Sequence, residues 1–312
     1  MIAIGTWNLE NLFQPGGEAG PRTRDAYEAK LAALARTIQS LEPDVLAVQE
    51  VGDPDALREL ADRAGGDWEI ELAEPDTRGI RVGFLSRLAL AGLEEVAEFP
   101  GRLAPVQVDD DGRTTGRMGR PALKSVVRTG GLDVTLVSCH LKSKLLTFPG
   151  GRFAPRDEDE RARFAVYALG RRAAEAATVR EFATRLLDGE GRRRALAVLG
   201  DLNDEQYAAT TTLLQGPPGS ELHTPGFDRD DRGDGARLWN LAPLIEEKHR
   251  FSRTYQGRRE LIDHILVSHR LVGSVSAVVT GEGGDSVTDD PGERRDAPGS
   301  DHRPVLARLD LG

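Results

Sequence analysis

The chain has 312 residues, of which 39% are hydrophobic and 29% are charged, a composition typical of a folded protein with a sizeable core. Its formal net charge of −10 argues against a protein held on nucleic acid by a broad basic face, and no run of about 20 apolar residues predicts a membrane-spanning helix. The single cysteine, Cys139, excludes an internal disulfide bond and a zinc site built from several cysteines.

Hydrophobic patterns predict more strands than helices, and a hairpin at Thr129-Gly130-Gly131 indicates antiparallel pairing. In chain order, the patterns predict a strand at 2–8, a helix at 24–41, a strand at 45–51, a helix at 54–64, strands at 68–73, 80–86, 123–128 and 132–139, a helix at 159–188, and strands at 195–200, 261–267, 273–280 and 303–309. Polar stretches at 145–160, 215–237 and 281–300 predict long surface loops.

The organisation of the chain favours one domain over residues 1–312, because no linker rich in proline, glycine and serine divides it and no repeat is visible. The first residues, 1–13, lack the basic region, apolar core and cleavage site of a signal peptide. We therefore expect a cytoplasmic protein, with secretion left open for a chain whose signal has been removed.

Polar side chains stand at the ends of several predicted strands, where ionisable groups can gather at one edge of a sheet and bind metal or substrate. The residues concerned are Asn8, Glu50, His140, Asp201, Asn203, Asp301 and His302, and Asp263 lies inside a sixth apolar segment. A carboxylate inside an apolar strand needs a partner. His264 should point to the opposite face from Asp263 and is left out of the predicted site.

Each of these residues has an ordinary structural interpretation when it is taken alone. Glu50 could be solvated or paired with a basic residue, as strand-end carboxylates usually are. Asp201 and Asn203 could be turn formers. His140, next to the apolar Cys139, could be a core histidine with satisfied hydrogen bonds. The case for a catalytic site therefore depends on the combination.

In combination, the segments resemble the endonuclease/exonuclease/phosphatase superfamily, the deoxyribonuclease-I-like metal-dependent phosphoesterases. The resemblance rests on six motifs in order, TWNLEN (6–11), PDVLAVQE (43–50), SCHLKSK (138–144), LGDLND (199–204), LIDHILVS (261–268) and SDHRPV (300–305). It implies an α+β fold with a four-layer α/β/β/α sandwich, in which two packed mixed β-sheets are flanked by helices.

The resemblance also implies a role for each polar residue. Asn8 and Glu50, with Asp301, are implied ligands of a divalent ion, and their oxygen donors suit Mg²⁺ or Mn²⁺. Asp201 is the implied acid that positions or deprotonates the attacking water, and Asn203 orients the phosphate. The implied remaining catalytic residues are His302, which bonds a phosphate oxygen or handles a proton, Asp263, which fixes its ring, and His140, which stabilises phosphoryl oxygens or assists the leaving group.

The chemistry of phosphoester hydrolysis supports this set independently. The reaction needs charge neutralisation at the phosphate, an activated water and help for the departing oxygen, which a metal ion, a carboxylate base and histidines can supply. Neither a serine nucleophile motif nor a cysteine at the functional position competes with this interpretation.

Basic residues near the predicted site are candidate substrate contacts. Lys142 and Lys144 follow His140 closely, and we interpret their loop as part of a phosphate-binding wall, with a solvated loop of mixed charge as the alternative. Arg120, before Pro121, is a candidate for the tyrosine or arginine that many relatives place between the glutamate and the histidine.

The sequence leaves the substrate open. The motifs are most similar to those of bacterial nucleases, which favours a nuclease or general phosphodiesterase with nucleic acid as a candidate substrate and no inferable protein partner. The alternatives are a phosphatase acting on a small phosphorylated metabolite or a phospholipid head group, and a catalytically silent binding scaffold. A scaffold predicts loss of the acid/base residues, all of which are present.

Overall fold

The architecture is that of two six-stranded sheets with helices on their outer faces, described in a computed structural model over residues 1–224, 227, 229–284, 287, 292 and 294–312. The strands are β1 (Ile2–Leu12), β2 (Val45–Val51), β3 (Glu69–Leu72), β4 (Arg81–Ser86), β5 (Ala91–Glu98), β6 (Val106–Gln107), β7 (Thr114–Thr115), β8 (Arg117–Thr129), β9 (Leu132–His140), β10 (Ala195–Asp201), β11 (Leu238–Asn240), β12 (Arg253–Tyr255), β13 (Arg258–Glu260), β14 (Asp263–Ser268), β15 (Val275–Thr280) and β16 (Val305–Leu309). The α-helices are α1 (Arg24–Leu41), α2 (Pro54–Ala64), α3 (Glu158–Leu187), α4 (Ala209–Gln215) and α5 (His269–Val272).

The strand order explains why both sheets are mixed. The first sheet runs β15-β16-β1-β2-β4-β3, and the second runs β11-β14-β10-β9-β8-β5. Within each sheet one central pair is parallel, β1 with β2 and β10 with β9, while the neighbouring pairs are antiparallel. The predicted hairpin joins β8 to β9, and both of its glycines have positive φ, 57° at Gly130 and 75° at Gly131, as a two-residue hairpin turn requires.

The four layers follow from the alternation of side chains along each strand, because successive residues of a strand point to opposite faces. Ile2 and Ile4 of β1 face the other sheet, whereas Trp7 and Leu9 belong to the cluster under α1 and α2. On the second sheet, Leu136 faces inward and Val137 packs beneath α3. The structure therefore confirms the predicted α/β/β/α sandwich.

The elements that the sequence pattern missed are short or polar. The edge strand β5, with sequence AGLEEVAE, is mostly exposed and has no apolar alternation. The short helix α4 and the small pairs β6–β7 and β12–β13 were likewise missing from the prediction. The strand predicted at 123–128 is longer than expected and begins at Arg117. Among the described residues, no helix is long and apolar enough to cross a membrane.

Candidate active site

The centre of the site is one row of residues across the second sheet. Asp201 pairs with His140 of the parallel neighbour β9 and with Asp263 of the antiparallel neighbour β14. All three side chains fall on the inward face, because they share the alternation of the inward residues Leu136, Leu199 and Ile265. They are buried at the place where the two sheets meet.

The first sheet contributes Asn8, whose side chain crosses to the second sheet. Its Nδ2 donates to Oδ2 of Asp201 at 3.0 Å, and its Oδ1 accepts from the backbone N–H of Glu10 at 2.9 Å. Beyond Asn8 the pairing of β1 with β2 shifts, and Glu10, Asn11 and Glu50 all adopt positive φ. This bulge re-aims the Glu50 carboxylate, which accepts from the backbone N–H of Asn11 at 2.9 Å.

His302 enters the site from the segment before β16. Its Nδ1 lies 2.7 Å from Oδ2 of Asp263, and its Nε2 lies 4.0 Å from Oδ2 of Asp201. Ser300 supports this turn, since its hydroxyl donates to the Asn8 carbonyl at 2.6 Å and accepts from the His302 N–H at 3.0 Å. The histidine ring is therefore held on one nitrogen and presents the other toward Asp201.

The electrostatics separate the roles of Asp201 and His302. Burial, together with the charge of Asp263, raises the pKa of Asp201 to about 7, although His302 and Asn8 oppose the rise. Burial alone would lower the pKa of His302, but Asp263 and Asp301 outweigh it and raise that pKa to about 10. A carboxylate that titrates near neutral pH beside a cationic histidine is suited to proton transfer.

His140 differs from His302 because its surroundings disfavour its charged form. Burial, followed by the charges of Arg120, His302 and Arg78, lowers the pKa of His140 well below its usual value. Its Nε2 lies 3.4 Å from Oδ2 of Asp201, and its buried Nδ1 has no hydrogen-bond partner among the described residues. A neutral imidazole can donate a hydrogen bond from one nitrogen and accept one at the other.

The contacts of Asn203 and His264 show how each residue relates to Asp201 and to the rest of the site. Asn203 has positive φ, donates its N–H to Oδ1 of Asp201 at 2.9 Å and its Nδ2 to the Leu141 carbonyl at 3.0 Å. It therefore forms the turn and also supports Asp201. His264 points away from the site, as expected, and bonds the Asp204 carbonyl and the Asn240 side chain.

A second group of carboxylates, Glu10, Glu50 and Asp301, lies beside Asn8. Glu10 accepts the backbone N–H of Asp301 at 2.9 Å, and burial and the charge of Asp301 raise the pKa of Glu10. Such repulsion between buried carboxylates is relieved by a cation. The donors are oxygen atoms, the kind that hard divalent ions such as Mg²⁺ or Mn²⁺ prefer, and the assignment of Asn8, Glu50 and Asp301 as ligands stays a prediction.

Two groupings bring possible metal-binding atoms within 4.8 Å of one another in the described part of the chain, and Glu10, Glu50 and Asp301 are not one of them. Asp201, Asp263 and His302 form one, but His302 already bonds Asp263 at 2.7 Å and its Nε2 lies 4.0 Å from Asp201, as in an acid–base set. The other, Asp230, Asp234 and His269, lies at the opposite end of β10, where Asp234 is ion-paired with Arg192 at 2.6 Å and Arg237 at 2.7 Å. These arginines already neutralise Asp234, so we assign no metal to it.

The three residues predicted to bind substrate have different surroundings. Arg120 is nine-tenths buried, its guanidinium lies 3.3 Å from Asp76, and its Nε has no hydrogen-bond partner among the described residues. The Lys142 ammonium donates to oxygen atoms of its own loop, at Ser143 and Leu145, and burial lowers its pKa to about 8. Lys144 is half-exposed and lies 3.5 Å from Asp204.

The sequence analysis missed four residues around the site. Glu10 belongs to the TWNLEN motif and could have been found there, since it is a carboxylate two positions after Asn8. Gln49 could have been found in the PDVLAVQE motif, next to Glu50, whereas Arg78 and Lys30 had no comparable signal because tertiary packing brings them to the site. Gln49 accepts from the Thr6 hydroxyl at 3.1 Å and donates to Ser138 at 3.4 Å, so it links the two sheets.

Comparisons with known proteins agree with this architecture. A family model described as the endonuclease/exonuclease/phosphatase family matches residues 5–302. No protein with a curated description matches the sequence.

Solved structures show the same fold at low sequence identity. A truncated TDP2 from Caenorhabditis elegans is 16% identical, with 98% of this chain and 96% of that chain covered and a TM-score of 0.54. A family protein from Leptotrichia buccalis is 14% identical over the whole of both chains, with a TM-score of 0.57. A mannosyl-6-phosphatase from Bacteroides thetaiotaomicron is also 14% identical over the whole of both chains, with a TM-score of 0.54.

The family match covers five of the six motifs in full and the first three residues of the sixth, and the fold described above agrees with it. One of these structural neighbours is a phosphatase. The chain therefore belongs to the endonuclease/exonuclease/phosphatase family and is a phosphoesterase.

Proposed function

We propose that this phosphoesterase hydrolyses phosphodiester bonds, as a nuclease or general phosphodiesterase, with Mg²⁺ or Mn²⁺. The observation that carries the proposal is the row of His140, Asp201 and Asp263, with His302 bonded to Asp263, beside a group of carboxylates. It combines an acid–base set with oxygen donors for a hard cation at one edge of the sandwich.

Asn8, Glu50 and Asp301 would hold the divalent ion. When bound, such an ion neutralises negative charge on phosphate oxygens and favours ionisation of a nearby water. The arrangement of these donors is supported by the bulge at Glu50 and by the Asn11 N–H that fixes its carboxylate.

The remaining residues supply proton transfer and orientation. Asp201 accepts a proton from the attacking water, because its pKa of about 7 lets the carboxylate form exist at neutral pH while it remains basic. Asp263 holds His302 as a cation, which donates a hydrogen bond to a phosphate oxygen. His140 contacts a phosphoryl or leaving-group oxygen, and Asn203 orients the phosphate beside Asp201.

Exposed aromatic side chains on loops after catalytic strands support a nucleic-acid substrate. Tyr207, four residues after Asn203, is 77% exposed, and Phe153, in the loop after His140, is 56% exposed. Exposed rings of this kind can stack on bases. Phe148 and Trp239 are buried and cannot do so.

A phosphatase of small metabolites or phospholipid head groups is the second candidate, because cationic groups gather beside His140. The charges of Arg120, Arg78 and Lys142 all act on His140, which suits a compact substrate with a doubly charged phosphate. The net charge of −10 also disfavours a long polyanion. A silent scaffold is disfavoured, because the acid–base set is complete and its two histidines lie within 4.0 Å of Asp201.

The test is a substrate and metal screen. The wild-type protein should nick plasmid DNA and hydrolyse bis-(p-nitrophenyl) phosphate with Mg²⁺ or Mn²⁺, and the activity should vanish in chelator and return when the ion is restored. Asp201→Ala, His302→Ala and His140→Ala should each lower kcat by about 10²–10⁴-fold. Asp133→Ala, which removes an exposed carboxylate at the far end of β9, should not.

Two results would contradict the proposal in different ways. Activity that persists after exhaustive dialysis against EDTA would contradict metal dependence. A clear preference for phosphomonoesters such as p-nitrophenyl phosphate, with no activity on DNA or diesters, would replace the nuclease function by the phosphatase function.

A further inference from the structure

The short hairpin formed by β12 and β13 stands beside the candidate active site. Its base is fixed there, because Arg253 of β12 forms a β-bridge with His302, and Asp263 follows β13 after only two residues. Its turn consists of Gln256 and Gly257, whose φ angles of 47° and 76° are the positive values that a two-residue hairpin turn requires. The hairpin therefore has a defined register and a defined place at the rim of the site.

The register decides which side chains of the hairpin face the site. Arg253 is paired with Glu260, and Tyr255 is paired with Arg258. Residues that lie opposite each other share a face, and so do alternate residues of one strand, so these four side chains lie on the same face. The Arg253 Nε lies 3.4 Å from Oδ2 of Asp301. The face that carries Tyr255 and Arg258 is therefore the one turned toward the site.

Arg258 is a cation without an acidic partner. Its side chain is exposed and makes no hydrogen bond or ion pair with the residues that the structure describes. Arg259, on the other face of the hairpin, is already engaged, since its guanidinium lies 4.3 Å from the centroid of the Phe251 ring and donates to the Lys248 carbonyl at 3.3 Å. Arg258 is thus available to fork an anion such as a phosphate.

The acidic groups on this face are each close to a cation. Glu260 lies 4.0 Å from the Lys144 ammonium, and Asp301 lies 3.4 Å from Arg253, so neither is free to neutralise Arg258. Beside Arg258, the Tyr255 ring packs under the Arg253 guanidinium, 5.6 Å from its centroid. The face therefore ends, toward the turn, in an aromatic ring and an unneutralised positive charge.

The position of Arg258 is too far out for a compact substrate. The pair of Tyr255 and Arg258 lies two residues farther along the hairpin than Arg253, which at about 3.4 Å per residue is about 7 Å beyond the residue that contacts Asp301. A substrate that spans both places must continue beyond the phosphate that reacts. A polynucleotide strand does so, with a further phosphate and a further base.

We propose that Arg258 and Tyr255 form a subsite for the nucleotide that adjoins the reacting phosphate, so that the substrate is a polynucleotide strand. This inference rests on the proposed hydrolysis of phosphodiester bonds. Arg258 forks the neighbouring phosphate, and the Tyr255 ring packs against the attached base or sugar. A lipid surface fits the hairpin less well, because the turn of Gln256 and Gly257 offers no apolar side chain for insertion.

The test compares substrates that do and do not carry a second phosphate. They are the dinucleotides TpT and UpU, the trinucleotides TpTpT and UpUpU, and bis-(p-nitrophenyl) phosphate. The wild-type protein should prefer a trinucleotide to its dinucleotide by about tenfold in kcat/KM. Arg258→Ala should abolish that preference through KM, with kcat unchanged, and should leave hydrolysis of the dinucleotides and of bis-(p-nitrophenyl) phosphate unaltered.

A salt series on a longer single strand tests the charge separately. Loss of one phosphate contact in Arg258→Ala should make the slope of log kcat/KM against log salt concentration shallower by about 0.7. Arg258→Lys, which keeps the charge, should retain the wild-type slope. Arg128→Ala is the matched control, because it removes an arginine that is 76% exposed at the end of β8 away from His140, and it should change neither the slope nor the preference.

Three results would overturn this inference alone. They are a wild-type protein that hydrolyses diesters without preferring trinucleotides, an Arg258→Ala variant with an unchanged KM for trinucleotides, and equal losses in Arg258→Ala and Arg128→Ala. Loss of binding to phosphatidylserine vesicles in Arg258→Ala, with oligonucleotide hydrolysis unchanged, would likewise replace the nucleotide subsite by a lipid contact. A wild-type protein that hydrolyses no phosphodiester would contradict the proposed function as well.

Discussion

Asp201 is the residue on which the other polar groups of the site converge. Asn8 and Asn203 donate hydrogen bonds to it, and both His140 and His302 lie within 4.0 Å of its Oδ2. Hydrogen bonds to a carboxylate favour its charged form, but here burial and the negative charge of Asp263 are stronger, and the pKa of Asp201 rises to about 7.

This pKa predicts the acidic limb of the pH–rate profile. Asp201 is protonated and inactive as a base below its pKa, so kcat/KM should rise with pH up to about 7 and then level off. A bound cation also favours the carboxylate form, so the midpoint should lie at or below this value. The measurement uses bis-(p-nitrophenyl) phosphate over roughly pH 5 to 9, where the diester stays singly charged. A flat profile, or a midpoint near pH 9, would contradict the assignment of Asp201 as the base.

Among single residues, the sequence predicts those site residues that stand at the end of an apolar strand. His140 and Asp201 could be predicted because each ends an apolar strand, and the register then aligns them. Arg78 and Lys30 could not, since a loop and a helix bring them in and their neighbours in sequence carry no pattern of their own. Their contributions depend on long-range contacts, which local periodicity does not encode.

The central strands β9 and β10 hold the row of catalytic residues, and their close approach depends on Gly200. A Cβ atom at this position would lie 2.0 Å from the Cys139 carbonyl oxygen. That oxygen belongs to the backbone and cannot move away cheaply. The residue directly before Asp201 must therefore be a glycine if the two strands are to remain paired here.

Gly200→Ala should destabilise the fold by about 1–3 kcal/mol or more and lower kcat, because relief of the clash shifts Asp201 relative to His140. Gly170→Ala is the matched control, since Gly170 is exposed in α3 with no atom within 4 Å of its added Cβ. There the same substitution should stabilise the helix by about 0.5–1 kcal/mol. Urea unfolding measures both changes, and equal effects at the two positions would contradict the argument.

Elements with a strong apolar period could be predicted, whereas edge elements could not. β1, β2 and β10 are buried almost throughout, and β2 and β10 each begin with a continuous apolar run. β5 lies at the edge of its sheet and carries exposed glutamates, which protect an edge from pairing with other chains but remove the alternation that identifies a strand. Short α4 contains three consecutive threonines, which are poor helix formers.

Over the whole molecule, the negative net charge weakens the binding of a polyanionic substrate, whereas the local cations near His140 strengthen it. A protein that covers DNA with six to ten phosphate contacts loses about 10³–10⁵ in affinity between 50 and 200 mM salt. This chain has 41 basic against 51 acidic residues, and Arg120 and Arg172 are already paired with the carboxylates of Asp76 and Asp204. We therefore infer only a few phosphate contacts.

The salt dependence of DNA cleavage should accordingly be shallow. With about two phosphate contacts, kcat/KM on plasmid DNA should fall by roughly tenfold over the same range of salt. Hydrolysis of bis-(p-nitrophenyl) phosphate, a small diester, serves as the control and should change less. A loss of a thousandfold on DNA would indicate an extended basic binding face that the described residues do not show.

The four-layer architecture could be predicted through the family resemblance, because six motifs in order identify the superfamily even though each is weak alone. Periodicity by itself gave strands and helices but not which strands are neighbours. The order β15-β16-β1-β2-β4-β3 requires contacts between the first and last parts of the chain, which no local pattern reports. The single domain over 1–312 stays a prediction.

Cys139 comes directly before the catalytic candidate His140 in the sequence, but its side chain lies on the other face of β9. There it packs in the apolar cluster beneath α3. Burial raises the pKa of its thiol, so the reactive thiolate is scarce while the sheet is intact. Alkylating reagents can reach this sulfur only after α3 separates from the second sheet. Because the chain has one cysteine, the rate of its labelling reports the opening of that interface directly, without interference from any other thiol.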